Sequence, residues 1–167
     1  MGNGFITSNY RLIAISSLSG TVRNLQNETL EYVNPEKPTH DHSSIYYKRF
    51  YVTSFNLNES AIKATFSSPM KIGDGDEVTV AGYFKGDVFQ VLACANQTQA
   101  TRHHENWLVL LVAAVIFLCV ALGIYHSERA IAGDLIPKLF VFGFAAASLY
   151  MAYRAWLIKQ AIRLLPR

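Results

Sequence analysis

Between Trp107 and Tyr125 the chain runs through WLVLLVAAVIFLCVALGIY without one charged side chain. An apolar run of about 18 or more residues matches the hydrocarbon thickness of a bilayer and exceeds most core helices. Trp107 and Tyr125 bracket it, as amphipathic aromatics do at the two water interfaces. A second apolar segment follows over about 136–158, with Lys138 and Arg154 at the ends of its uncharged part and Trp156 beyond. Long basic side chains at such ends reach out to the headgroups. The connection, His126 to Pro137, carries Glu128, Arg129 and Asp134 and is too short for a domain. Pro137 suits the first turn of a helix. The expectation is a two-helix transmembrane hairpin, with membrane interfaces at Trp107, Tyr125, Lys138, Arg154 and Trp156.

Charge sets the expected orientation. Arg154, Lys159, Arg163 and Arg167 follow the uncharged part of the second span, while the link and its border hold one Arg and one Lys, Arg129 and Lys138. Basic residues accumulate on the cytoplasmic side. The opening MGNGFITSNY shows neither a basic stretch nor an apolar core of the secretory type. Both termini are therefore expected in the cytoplasm of a multi-pass inner-membrane protein. The sequons at Asn27, Asn58 and Asn96 pull the other way, since they matter only in a lumenal domain. Two cysteines, Cys94 and Cys119, have no evident disulfide partner, which suits a reducing compartment. Small residues thin both spans: Ala113, Ala114 and Ala121 in the first, Gly143 and Ala147 in the second. They allow close helix approach, read first as packing within the hairpin and second as a homo-oligomer contact through Gly143 and Ala147.

Residues 1–104 carry nine basic and nine acidic side chains, so the formal charge of +3 belongs wholly to the apolar remainder. Period-two patterning dominates this part. It predicts strands over Leu12–Leu25 (bent near Gly20), Ile45–Leu57, Ala61–Ser67, Glu77–Phe84 and Val88–Ala95. Gln26 to Ser44, with Pro35 and Pro38, reads as a loop. Lys85-Gly86-Asp87 makes a tight hairpin. Five short strands favour closure into a barrel, which removes exposed edges. The expected inward set includes Val22, Phe50, Val52, Ile62, Phe66, Val78, Val80 and Phe84, with Gly82 at a bend. The chain is thus α+β in total: an all-β barrel over residues 1–104 and a membrane hairpin over 105–167.

The run GDGDEVTVAGYFKGDVFQVLACANQT, Gly73 to Thr98, resembles the last hairpin of OB-fold domains. An acidic-glycine turn enters a strand of alternating Val, a glycine bends it, and the final strand ends in polar residues. The helix that OB folds often carry between the third and fourth strands is replaced here by a short loop, SPMKIGDG. The overall plan is similar to bacterial inner-membrane proteins that couple an OB domain to membrane helices, with the order reversed from many of them. In outline the chain also looks like small two-span proteins encoded beside type VI secretion clusters.

No P-loop, GxSxG, HExxH or CxxC occurs, and the reading is of a non-enzymatic chain without a cofactor. His40-Asp41-His42 has metal-ligand residue types but no third ligand nearby, and His103-His104 reads as juxtamembrane, so no metal site is expected. The second strand, YYKRFYVTSF over Tyr46 to Phe55, offers the most informative surface. With Phe50 and Val52 inward, Tyr47, Arg49, Tyr51 and Thr53 form an outward row. The OB resemblance implies binding on strands two and three, where Lys63 and Tyr83 could join the row. Aromatic residues interleaved with basic ones suit stacked single-stranded nucleic acid. The domain's zero net charge denies it the counterion-release gain on which nucleic-acid affinity rests. A protein partner is favoured, with a plain solvated sheet face as the bland alternative. Two functions follow. One is a barrel recruiting a protein to the inner membrane. The other is an effector or immunity component of a secretion system acting through its hairpin. A pore usually needs polar or ionisable groups within its spans. Ser148 is the main one here, which favours the anchor.

Overall fold

The computed structural model describes residues 14–33, 47–128 and 135–166. Its elements are β1 (Ser16–Val33), β2 (Tyr47–Leu57), β3 (Ser60–Phe66), β4 (Glu77–Lys85), β5 (Val88–Asn96), β6 (Thr101–His104), α1 (Trp107–Glu128) and α2 (Leu135–Arg163). His40-Asp41-His42, Pro35 and Pro38 lie outside the described residues.

Five strands close on themselves in the order β1–β2–β3–β5–β4–β1. The closing seam is parallel, Ala61–Ala64 of β3 along Val88–Val91 of β5; every other pairing is antiparallel. β1 makes closure possible because it serves two neighbours in turn. Ser16–Thr21 pairs with β4, and Val22–Val33 pairs with β2. Its polar second half, expected as loop, is strand. The alternation there was masked by NETLEY, whose apolar residues are too sparse to mark a buried face. The ladder shifts register between Arg23 and Gln26, with Asn24 at a φ of 56°. β6 was not foreseen: it occupies the edge of β5 from Ala93 to Asn96, just beyond the part that β3 covers.

The core holds Val22, Phe55, Leu57, Ile62, Ala64, Phe66, Val78, Val80, Phe89, Val91 and Cys94, all buried. Directly paired residues share a face. Phe55 opposes Ile62 and Thr53 opposes Ala64, so the odd-numbered side of β2 faces inward. The expected inward placement of Phe50 and Val52 is corrected by one residue; Val52 is buried, but on the side of Thr65. Phe84 keeps the expected side of β4, paired with core Phe89, but at the hairpin end it is 52% exposed rather than buried. Between Ala81 and Gly82 the β4–β5 ladder slips, with Leu92 of β5 as the extra residue, so Val78, Val80 and Phe84 stay on one side while Leu92 joins Ala93 on the outer face. Gly82 permits that slip. A Cβ there would overlap the Gln90 carbonyl oxygen and lie 2.9 Å from the carbonyl carbon.

Both helices are long and apolar enough to cross a membrane. They pack as an antiparallel pair around Ala114, Ala121 and Ser148, and Ser148 Oγ donates to the Ala114 carbonyl at 2.8 Å. Phe117 and Phe144 meet at 5.6 Å between ring centroids. Gly143, expected within the hairpin packing, is exposed. It lines an open apolar groove with Ala147, Phe117, Leu139, Phe140 and Phe144.

α2 does not end at the second span. Its last turns lie on the outer face of β4 and β5, where Leu157, Ala161 and Leu165 are buried with Ala81, Leu92, Ala93 and Ala95. The apolar signal that extended the second span to residue 158 is therefore partly a protein contact. Leu157 and Ile158 are 3% and 1% exposed, whereas Leu149 and Tyr150 upstream are 72% and 63% exposed. Three polar contacts fasten the same corner. Arg154 Nη2 lies 3.6 Å from Glu105, Lys159 Nζ sits 4.9 Å above the Trp107 ring, and Arg102 donates to the Pro166 carbonyl at 2.7 Å.

Candidate functional site

In the closed strand order, β2 lies across the barrel from the β4–β5 face that α2 covers. Beyond Tyr51, β2 has no partner but β1 among the described residues, because β3 ends at Phe66 opposite Tyr51. Glu28–Val33 and Tyr47–Val52 form a two-stranded ribbon, rooted where Tyr51 and Val52 still pair with β3 and continuing past the barrel mouth from there.

On one side of the ribbon stand Asn27, Thr29 and Glu31 of β1, opposite Thr53, Tyr51 and Arg49 of β2. Thr53, which the sequence placed in the outward row, is buried and donates to Asn27 Oδ1 at 2.9 Å. Tyr51 is half-buried at the rim. Arg49 remains well exposed and pairs with Glu31 at 2.8 Å. Such an exposed pair contributes little to stability, so the guanidinium can exchange partners at small cost. Tyr47 begins the strand, paired with Val33. Leu30, on the ribbon's other side, is 48% exposed.

Lys63 and Tyr83 are not in that row. Lys63 is exposed on the outer face of β3, since its neighbours Ile62 and Ala64 point into the core. It lines an open cleft of about 580 Å³ with Asn24, Gln26, Ser54, Asn56 and Val88. Amides, a hydroxyl and one cation converge there. The local cause is the β1 register shift, which turns Asn24 and Gln26 toward β2 and β3. Sequence reading missed this cleft because its residues come from three strands, and the irregularity in NLQNE left no alternation to follow. Tyr83 packs on the opposite side, against the cluster that joins β4 and β5 to α2. The structure therefore separates the five expected residues into a rim row (Arg49 and Tyr51, with Tyr47 preceding), a cleft residue (Lys63) and a helix-seam residue (Tyr83).

The most connected polar group has an architectural role. Asp76 Oδ2 accepts from Asn96 Nδ2 at 2.7 Å, Gln99 Nε2 at 2.7 Å and the Gly73 amide at 2.8 Å. The Asn96 and Gly73 bonds, assisted by Gln99, hold its carboxyl below the ordinary value despite opposing desolvation. Val22 donates to the Asp76 carbonyl and Asn96 to that of Lys71. Asp76 so fixes β1 through its main-chain carbonyl, and the β3–β4 connection and the β5–β6 turn through its carboxylate. Asn96 is 4% exposed, which suits a structural amide rather than a glycan attachment. His103 stacks edge-on against Phe66 at 4.5 Å. Burial, then the neighbouring His104, lowers its pKa against an opposing hydrogen bond that the ring donates to the Ser68 backbone. Cys94 is buried in the core and its thiol is pushed up to about 12 by desolvation, which leaves it unreactive. Among the described residues no cluster of three metal-ligating side chains occurs.

No protein-family model, curated protein or solved structure matches this chain.

Proposed function

We propose that this is a membrane-anchored, OB-like binding module, non-enzymatic, that holds a protein partner at the inner-membrane surface. The observation that carries the reading is the division of the barrel into two faces. One, on β4 and β5, is committed to α2 and so to the anchor. The other, on β1, β2 and β3, keeps a cleft of mixed polar and apolar lining and an exposed Arg49. The closed order β1–β2–β3–β5–β4 with its parallel seam supports the OB assignment, and OB folds bind through strands two and three. Neutral amides with single cations fit a mixed protein surface better than a polyanion, which calls for a basic groove. In the helix pair, Ser148 spends its hydroxyl on Ala114. That use supports an anchor over a pore, which needs polar groups available to a transported species.

The test is a photo-crosslinking amino acid at Lys63 and at Arg49 in the full chain in cells, with Gln97 at the β5–β6 turn as the comparison position. The reading expects one protein adduct common to Lys63 and Arg49, absent at Gln97, and lost when Asn56→Arg fills the cleft. Adducts that Gln97 gives equally would count against it.

A further inference from the structure

Phe84 and Lys85 form the end of the β4–β5 hairpin, and Phe84 is the exposed large apolar side chain of β4. Its ring makes one edge contact, to Phe89 at 5.0 Å, and leaves its other side uncovered. The position of this tip relative to the helices follows from contacts already described. Pro166 lies beside Arg102, and with Ala95, Asn96 and Thr101 it lines a small pocket. Arg154 lies beside Glu105, just past His104, which pairs with Ala93. Moving from Pro166 back to Arg154 along α2 therefore runs in the same sense as moving from Asn96 toward Val88 along β5. The lengths agree as well. From Arg154 to Arg163 the helix covers about 14 Å, and the turn to Pro166 adds a few more. The strand from Asn96 to Gln90, which faces Tyr83, covers about 20 Å. Tyr83 itself packs on the seam cluster. The next residues, Phe84 and Lys85, are thus level with Arg154 and Trp156, where α2 leaves the barrel for its lipid-facing stretch.

We infer that the β4–β5 hairpin tip is a third membrane contact, with Phe84 seated in the lipid headgroup region and Lys85 at its aqueous border. The inference rests on the reading that both helices cross a bilayer. An aromatic ring gains by leaving water at that depth, and a lysine stem can lie along the same boundary. With two helices already fixing the barrel's orientation, the tip meets lipid without a further loss of freedom. It therefore restrains the barrel from rotating and keeps the β1–β2 ribbon, at the other end of the barrel, turned away from the surface.

The experiment uses the full chain in phosphatidylcholine–phosphatidylglycerol vesicles, with a nitroxide on one cysteine at a time. Accessibility to oxygen, which partitions into lipid, is compared with accessibility to a water-soluble nickel chelate. Native Cys119, on the exposed side of α1, reports whether the helices are embedded. Labels at Phe84→Cys and Lys85→Cys, in a Cys119→Ser background, report the tip, and Glu28→Cys reports the ribbon. The expected oxygen-to-nickel ratio is highest at Cys119. At Phe84→Cys it is several-fold above Glu28→Cys, and at Lys85→Cys it is intermediate. Lys85 is exposed, so its label reads the tip even if Phe84→Cys disturbs the barrel. Ratios at both tip positions equal to Glu28→Cys, with Cys119 embedded, overturn the inference alone. A water-like ratio at Cys119 overturns the membrane reading beneath it.

Discussion

Two glycines of the barrel are required for different reasons, and alanine separates them. At Gly82 the backbone is ordinary but space is missing: a Cβ would overlap the Gln90 carbonyl oxygen and stand 3.1 Å from Val91 Cα, both backbone atoms. Neither can move without disturbing the β4–β5 ladder at its register shift. Overpacking of this kind costs about 1–3 kcal/mol, and the rigidity of a ladder places Gly82→Ala at the upper end. One lost backbone hydrogen bond adds about 1 kcal/mol, for roughly 4 kcal/mol in all. At Gly75 the space is open but φ is 87°. Alanine there pays only for the left-handed backbone, about 1–2 kcal/mol. For a domain of this size, 1 kcal/mol moves Tm by about 4–8 °C. Thermal unfolding of the full chain in detergent, followed by near-ultraviolet circular dichroism of the barrel aromatics, should show a fall of at least about 15 °C for Gly82→Ala. Gly75→Ala should lose roughly 4–16 °C. Equal losses, or a milder effect at Gly82, would refute the assignment of Gly82 as a close-approach position.

Val80→Asp should prevent barrel folding outright, since Val80 has no exposure and the charge would be buried unpaired; a soluble, dichroism-positive barrel would contradict this. Leu157→Ala should cost about 2–5 kcal/mol and raise proteolysis of β4 and β5, because the side chain is buried against the barrel rather than in lipid. Asp76→Asn should lower the unfolding midpoint at neutral pH. The folded carboxyl is held below its ordinary value of 3.8, so its contribution is complete above that pH and is lost as pH falls through the folded value. The gap between wild type and Asp76→Asn should therefore narrow in acid titrations below pH 3.8; a constant gap would show that the charge is not the stabilising element. Ser148→Ala should cost only about 0.6 kcal/mol of helix-pair stability, the usual size of such bonds in membranes.

The sequence disclosed what depends on composition over ten or more residues. An uncharged run bounded by Trp107 and Tyr125 admits few alternatives, and Val78 and Val80 beside Lys85-Gly86-Asp87 announce a hairpin. Three kinds of feature were illegible. Register was ambiguous in β2 because large apolar groups stand on both parities, Phe50 and Val52 against Phe55 and Leu57, and only the pairing with Ile62 and Ala64 chooses. Irregularities erased periodicity, so the slip at Arg23–Gln26 hid the cleft beside Lys63 and the slip at Ala81–Gly82 hid the turn of Leu92 onto the outer face of β5. Hydropathy does not distinguish lipid from protein as the apolar surroundings of a helix. That is why Leu157 reads as a membrane residue and Tyr83 as a free surface. Arg49 and Tyr51 share the side of Thr53 and Phe55, so the row read as outward continues the inward side of β2, and Arg49 is exposed because it lies past the end of β3.

The central claim is that two crossings hold the barrel on one side of a bilayer and the helix link on the other. Labelling of single cysteines by a membrane-impermeant maleimide tests it directly, with Glu28→Cys on the ribbon and Ser127→Cys at the end of α1, each in a Cys119→Ser background. Cys94 is buried and stays silent in both. In sealed inside-out vesicles of the inner membrane, Glu28→Cys should label at once and Ser127→Cys only after permeabilisation. Labelling of both positions from the same side would contradict the account.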